Sequence, residues 1–305
     1  MVAPPASSAA LPLNSVDRLR RTRPSAPAVL AGVAFVVLFA GPFTNLAAQW
    51  WNDPDAGHGL LLFPVALWLA WREGIDPDAR ANVRWGATLL VGAILIRAVG
   101  AAAAELFTQR FSIWLAAVGL VVFQWGWPQV RRWWLPAVLL PLSIPLPAIL
   151  TDALANPLQF KASQLATTMI KWRHIPVVTL GNVIRLPPTR SFAGATLFVA
   201  EACSGLRSLT ALLSLGVLIG GMYLRQVPSR VLLVLLAIPV AVFVNGVRIF
   251  LTAFLVYFVD PAAGQGTMHR NEGWAMFMIA FVILGVVATG VRFGERTVAR
   301  IRGTE

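Results

Sequence analysis

Long apolar runs separated by short arginine-bearing loops constrain this chain more than any other feature. Hydrophobic residues fill 57% of the 305 positions and charged residues only 12%, and the mean hydropathy is +0.71. Because about 20 mainly apolar residues cross a hydrocarbon layer roughly 30 Å thick, several segments have spanning length. The composition excludes a soluble globular protein and indicates a polytopic, all-α integral membrane protein whose solvent is the lipid bilayer.

The apolar segments predict about eight transmembrane helices and one longer outer segment. The predicted spans lie at about 27–47, 59–71, 85–104, 111–127, 133–150, 204–224, 231–258 and 274–291. The fifth span contains four prolines, so we expect it to be bent or broken. For the outer segment 151–202 we expect a surface-lying helix followed by extended chain around 177–186. The seventh span is longer than one crossing, and both a re-entrant turn after Arg248 and an outward-projecting helix fit it.

The distribution of charge predicts the orientation of the chain. There are 25 Lys and Arg against 13 Asp and Glu, a net charge of +12. Because Lys and Arg resist translocation, basic clusters between apolar runs mark cytoplasmic loops, and they do not indicate a nucleic-acid partner. We expect a disordered cytoplasmic tail at 1–26, a transmembrane catalytic domain at 27–292 and a basic cytoplasmic tail at 293–305, with both termini inside.

The single cysteine, Cys203, is the residue to which any chemistry is most simply assigned. One cysteine excludes an internal disulfide and a multi-cysteine metal cage, and we expect neither a metal nor another cofactor. Cys203 lies where the sixth span meets the outer interface. Arg248 comes 17 residues after Val231, or about 26 Å up the seventh span. His269 lies five residues before the eighth span, so three helix ends bring Cys203, Arg248 and His269 to a similar depth.

Acyl transfer through a thioester is the chemistry that suits these three residues. The thiolate is the nucleophile, and a nearby cation increases its fraction. His269 can take the thiol proton and return a proton to the leaving amine. Arg248 stabilises either the thiolate or the developing oxyanion, and the sequence does not separate the two roles. Each residue also has an ordinary interpretation, as a buried apolar thiol, a snorkelling arginine and a loop histidine.

Three polar residues near this set are candidates for supporting roles. Arg207 lies one turn after Cys203 and shares its helix face, and Asn245 lies three residues before Arg248 and shares the face of that residue. Glu201 lies two residues before the cysteine. In the alternative interpretation Arg207 marks the interface, Asn245 joins helices by a hydrogen bond, and Glu201 pairs with a loop cation.

Together these residues form a recognisable pattern. The run Glu-Ala-Cys-Ser-Gly-Leu-Arg-Ser at 201–208, then Asn-Gly-Val-Arg-Ile at 245–249 and His269 with Gly273, resembles the exosortase and archaeosortase signature. The element 55–59 with His58, and the prolines between 141 and 147, are similar to family features in order. The resemblance covers about 45–290, and it departs from the pattern before His58, where Gly57 stands in place of the expected serine.

The resemblance implies a membrane-embedded cysteine transpeptidase or protease of the bacterial inner membrane, with its active site facing outward. Its implied substrate is a membrane-anchored protein with a carboxy-terminal sorting signal: a short motif such as Pro-Glu-Pro, a transmembrane helix and a basic tail. The acyl group passes to an acceptor or to water. The implied catalytic residues are Cys203, His269 and Arg248, and the supporting residues are Glu201, Ser204, Arg207, Asn245 and His58.

Three other functions fit parts of the pattern. In a transporter, or in a protein that handles lipid-linked polysaccharide, Cys203 is structural. A metal-dependent intramembrane protease would use His58, His269, Glu272 and Cys203, although the spacing His-Glu-x-x-His is absent. An acyltransferase would form the same thioester with a fatty acid.

Overall fold

The computed structural model describes residues 26–301, except 54–55, 182, 190–191, 199–204 and 260–265. The side chains of 148, 152, 155, 198, 205–208 and 266–274 also lie outside the described part. The described helices are Ala26–Asn52 (α1), Gly59–Glu73 (α2), Val83–Ala102 (α3), Leu106–Arg132 (α4), Trp134–Leu142 (α5), Ala148–Trp172 (α6), Gly205–Tyr223 (α7), Val227–Phe258 (α8) and Gly266–Ile301 (α9). The described strands are Val178–Leu180 (β1), Val183–Leu186 (β2) and Ala195–Phe198 (β3).

Five of the described helices are long and apolar enough to cross a membrane. They are α1, α3, α4, α8 and the part of α9 from Ala275 to Ile301, while the apolar part of α7, Leu209–Tyr223, is shorter. The predicted count of eight spans is not confirmed, because α2 has only 15 residues, about 22 Å, and α5 only nine. Large apolar side chains such as Val37, which is 72% exposed, cover the outer faces of these helices. Such faces are stable in lipid.

The chain divides into two compact units, the first of which contains the described residues up to Thr44 and Trp71–Trp134. In this unit α3 and α4 pack closely as an antiparallel pair. A Cβ atom on Gly86 would collide with the backbone of Phe123, so the two helices can approach this closely only with glycine there. Ala93 and Ala116, both fully buried, continue the contact beneath Phe39 of α1. In lipid the hydrophobic effect does not drive helices together, so close packing at small residues holds α3 against α4.

Helix α4 is kinked at Gly126, near its carboxyl end. Its φ of 74° and ψ of −174° belong to a region that only glycine occupies readily, and a Cβ atom there would collide with the carbonyl oxygen of Arg80. Pro128 follows, and the backbone N–H of Arg80 donates to the Trp125 carbonyl over 3.0 Å. The kink therefore lets the loop before α3 lie against α4.

The second unit contains Asn45–Ala70 and Leu135–Glu305, and its central element is α8. Leu212 of α7, Leu233 of α8 and Leu284 of α9 are fully buried in one shared core. The carboxylate of Glu295 accepts the backbone N–H of Gln226 over 2.9 Å, which caps the start of α8 from α9. Helix α8 runs without a break to Phe258, about 48 Å, so the chain makes no re-entrant turn after Arg248.

The proline-rich fifth segment is broken, as predicted. Helix α5 ends at Leu142, and α6 begins at Ala148, with Pro147 in its N-cap position. Because Pro147 has no N–H, the Ser143 carbonyl cannot receive the usual bond from four residues onward. The indole Nε1 of Trp50 donates to that carbonyl instead, over 2.8 Å, in a buried position. The freed backbone group is therefore satisfied from another part of the chain.

The outer segment differs from the prediction in two respects. Helix α6 does not lie on the surface alone: Ala162, Ala166 and Ile170 are fully buried against the outer part of α8. The extended chain expected at 177–186 is confirmed as β1 and β2, but β3 adds a third strand, so the fold is mostly helical and not all-α. The antiparallel order is β1-β2-β3, with Ile184 opposite Leu197. Small alanines on one face of α6 are what permit its contact with α8.

Candidate active site

Most of the predicted catalytic residues lie at the margins of the described part. Cys203, Glu201 and Ser204 fall outside the described residues. Arg207 and His269 fall in the first turns of α7 and α9, whose backbone is described while these side chains are not. The structure therefore describes the helices that carry this set, and the side chains of Arg248, Asn245 and His58.

Arg248 lies in the carboxyl-terminal half of α8. It comes 18 residues after Arg230, so about 27 Å of helix separates the two arginines. Its side chain is half-buried, and its carbonyl oxygen accepts the hydroxyl of Thr252 over 3.0 Å. A cation within an apolar membrane helix costs free energy, so arginines at such positions are usually paired or functional. This favours a functional role for Arg248.

Asn245 lies one turn closer to the membrane centre on the same helix, and only 5% of it is exposed. Among the described residues, no donor reaches its buried Oδ1. It lines a pocket with Leu158, Leu209 and two aliphatic residues of its own helix, Ala241 and Val242. The pocket volume of about 10 Å³ is close to what one water molecule needs. The surroundings are apolar, so the hydrogen bond between helices that the sequence allowed is not made to these neighbours.

His58 contacts the broken helix. Its Nε2 lies 3.2 Å from the carbonyl oxygen of Leu142, next to the carbonyl that Trp50 binds. A carbonyl only accepts hydrogen bonds, so Nε2 carries the proton in this contact. Gly59 lies against the indole of Trp50 with no space for a Cβ atom, which holds this element in place. The contact gives His58 a role in supporting the break between α5 and α6.

Sequence reasoning did not identify Trp50, Ser143 or the pocket leucines. For Trp50 and Ser143 the sequence signal was Pro145 and Pro147, because prolines have no N–H and leave helix carbonyl groups without their usual donors. In a membrane these carbonyl groups need donors from elsewhere in the chain. The donor itself has no local signal, since Trp50 and Ser143 are 93 residues apart. Among the described residues, no three His, Cys, Asp or Glu side chains are grouped as metal ligands.

Comparison with known proteins gives one match. A family model described as transmembrane exosortase matches residues 50–286. That range includes α2 to α8, most of α9 and every residue of the candidate site. No curated protein and no solved structure matches the chain.

Proposed function

Because the chain belongs to the transmembrane exosortase family, we propose that it is a membrane cysteine transpeptidase or protease that uses Cys203. In this proposal it cleaves the carboxy-terminal sorting signal of a membrane-anchored protein at the outer face of the bacterial inner membrane, and both of its own termini are cytoplasmic. The single observation that supports the mechanism is the register of α7, α8 and α9, in which the start of α7, the Arg248 region of α8 and the first turns of α9 lie towards the same end of the second unit.

The register of α7 against α8 supports a pairing of Cys203 with Arg248. A Cβ atom on Gly220 would lie 3.6 Å from Cα of Arg230, and one on Gly216 would lie 3.5 Å from Cα of Val234. Each four-residue step towards the start of α7 is therefore matched by four residues forward along α8. Continuing this register to the start of α7 at Gly205 reaches Asn245, one turn before Arg248 on α8. This supports a pairing of the segment that enters α7 with the Arg248 region of α8.

The register of α7 against α9 supports His269 as the third member. The guanidinium of Arg292 lies 4.1 Å from the ring centre of Tyr223, at the inner ends of two helices that run in the same direction. Carried to the start of α7 at Gly205, the same offset reaches Trp274. The first turns of α9, which contain His269, therefore begin at the same end of the second unit as α7. In the proposal His269 exchanges a proton with the thiol directly or through one water.

The proposed reaction follows from these three groups. The Cys203 thiolate attacks the carbonyl carbon of the scissile peptide bond, and the resulting oxyanion collapses as the C–N bond breaks. His269 donates a proton to the departing amine, leaving a thioester on Cys203. An acceptor nucleophile, or water, then attacks the thioester carbon, gives its proton to His269 and releases the thiolate. Arg248 stabilises negative charge on the thiolate or on the oxyanion.

Replacement of the thiol tests the proposal. We expect Cys203→Ala to insert normally and to leave the substrate with its sorting tail attached, and the wild-type protein, stopped during turnover, to carry a peptide adduct that hydroxylamine releases. Arg248→Gln is compared with Arg230→Gln at the inner end of the same helix, and only the first should reduce adduct formation. Full processing by Cys203→Ala would instead support a transporter or polysaccharide-handling protein. A fatty-acid adduct would indicate an acyltransferase.

A further inference from the structure

The three-stranded sheet has one face that the described residues leave exposed. Ile184 and Leu186 point to the core, whereas Val178 and Leu180 of β1 are 53% and 58% exposed. Arg185, which pairs with Val178 across β1 and β2, is exposed on the same outward face. Two aliphatic side chains and a cation thus stand side by side on this outward face.

Packing on α8 fixes the height of the sheet relative to the membrane. Its inward face contacts a core that includes Ile249 and Val256 of α8. These residues follow Arg230 by 19 and 26 positions, or about 28 and 39 Å of helix. Since the hydrocarbon layer is roughly 30 Å thick and the headgroups extend it to about 40–45 Å, the sheet lies at headgroup height. This holds whichever side of the membrane Arg230 faces.

The surrounding segment is strongly and uniformly basic. Between Asp152 and Glu201 the sequence contains five Lys or Arg and no acidic residue. Lys171 and Arg173 are exposed at the end of α6, and Trp172 between them is 81% exposed. Tryptophan beside cations and aliphatic residues is the composition of a surface at the boundary of headgroups and acyl chains.

We propose that the outward sheet face and the end of α6 dock on anionic lipid headgroups. Arg185, Lys171 and Arg173 bind lipid phosphates, and the side chains of Val178 and Leu180 enter the acyl boundary. The contact holds the sheet down on the membrane. If the proposed function is correct, it also fixes the height of the nucleophile, because β3 ends five residues before Cys203.

Measurement of depth at position 180 tests this docking. The full chain carries Cys203→Ala and Leu180→Cys, so that a nitroxide label occupies one position, and it is placed in nanodiscs of phosphatidylcholine with or without phosphatidylglycerol. In discs with phosphatidylglycerol the label should collide more with oxygen than with a water-soluble nickel chelate. Each basic residue near an anionic surface contributes about fivefold, so loss of three positive charges alone lowers the equilibrium constant for docking about a hundredfold. The triple variant Lys171→Glu, Arg173→Glu and Arg185→Glu also adds three repulsive charges, so it should lower that constant by at least this much.

Arg296→Glu is the matched control. Arg296 is an exposed arginine near the inner end of α9, and its reversal should leave the depth at position 180 unchanged. The proposal is overturned if the label at position 180 lies in water in both lipid mixtures. It is also overturned if the depth of the label is the same with and without the three charge reversals. A label that is shielded only when a substrate peptide is added also overturns it, in favour of a protein partner. Because the labelled chain lacks the thiol, the outcome is independent of whether Cys203 is catalytic.

Discussion

The buried hydrogen bond from Trp50 to Ser143 allows a sharp test of how the broken helix is held. In Trp50→Phe the indole donor is lost. Ser143 is only 2% exposed, and its carbonyl cannot receive a backbone hydrogen bond from Pro147, which has no N–H. Leaving a buried acceptor unsatisfied costs about 1–3 kcal/mol. We therefore expect the free energy of unfolding to fall by about that amount, and the hydrogen bond of His58 to the neighbouring carbonyl to be weakened as well.

Trp125 provides the matched control for this substitution. Its indole Nε1 is buried and, among the described residues, has no hydrogen-bond partner. Trp125→Phe removes the same part of the aromatic ring system, but the donor that it removes has no partner. The free energy of unfolding should therefore stay nearly unchanged or rise slightly. The unfolding of both variants is followed by far-ultraviolet circular dichroism as SDS replaces a mild detergent. Equal losses of stability in the two variants would refute the role of the Trp50 donor.

Three further substitutions test other parts of the structure. Gly126→Ala should destabilise the chain by about 1–3 kcal/mol in the same SDS titration, because alanine disfavours this φ and ψ and its Cβ meets the Arg80 carbonyl; unchanged stability would contradict the kink geometry. Hydrogen bonds from the side chain and backbone of Thr108 lower the pKa of Glu105. The ionised carboxylate therefore contributes fully to folding stability above its ordinary pKa of about 4.3, and this contribution is lost as the pH falls through the lowered pKa. Glu105→Gln should therefore be less stable than wild type at pH 7 and equal to it in strong acid, and a pH-independent difference would argue against the charge. Asn245→Leu should be at least as stable as wild type, since leucine fills an apolar pocket. The same variant should process substrate at least tenfold more slowly, which corresponds to the loss of one polar contact of roughly 1.4 kcal/mol. Full processing by this variant would show that Asn245 is not part of the site.

The positions of the long helices were predictable because arginine clusters and apolar length are local signals, but their ends were not: α9 begins eight residues before and ends ten residues after the predicted eighth span. The break in the fifth segment was predictable for the same reason, since each proline removes a donor at a known position. The packing of α6 was not, because its alternating apolar and basic residues fit both a membrane surface and a helix contact. The alanines at 162 and 166 were the distinguishing signal: their spacing of four permits close approach to α8.

The position of Arg248 along a long apolar helix was predictable from chain length alone. The register of α7 on α8 was not, because it depends on glycine contacts that the sequence does not reveal, and the common level of Cys203, Arg248 and His269 stays a prediction. The apolar lining around Asn245 was not predictable, because Leu158 comes from a helix that was expected elsewhere. Likewise β3 was missed, since four residues are too few for a period-two pattern to be distinctive.

The bond between Trp50 and Ser143 also has a consequence for biogenesis. The donor is synthesised 93 residues before its acceptor, so the indole can already be inside the bilayer when the proline-interrupted segment leaves the translocon. A half-length segment with open carbonyl groups is poorly retained in lipid by itself. We therefore expect α5 to be retained less well in the membrane in a chain that lacks the helix carrying Trp50.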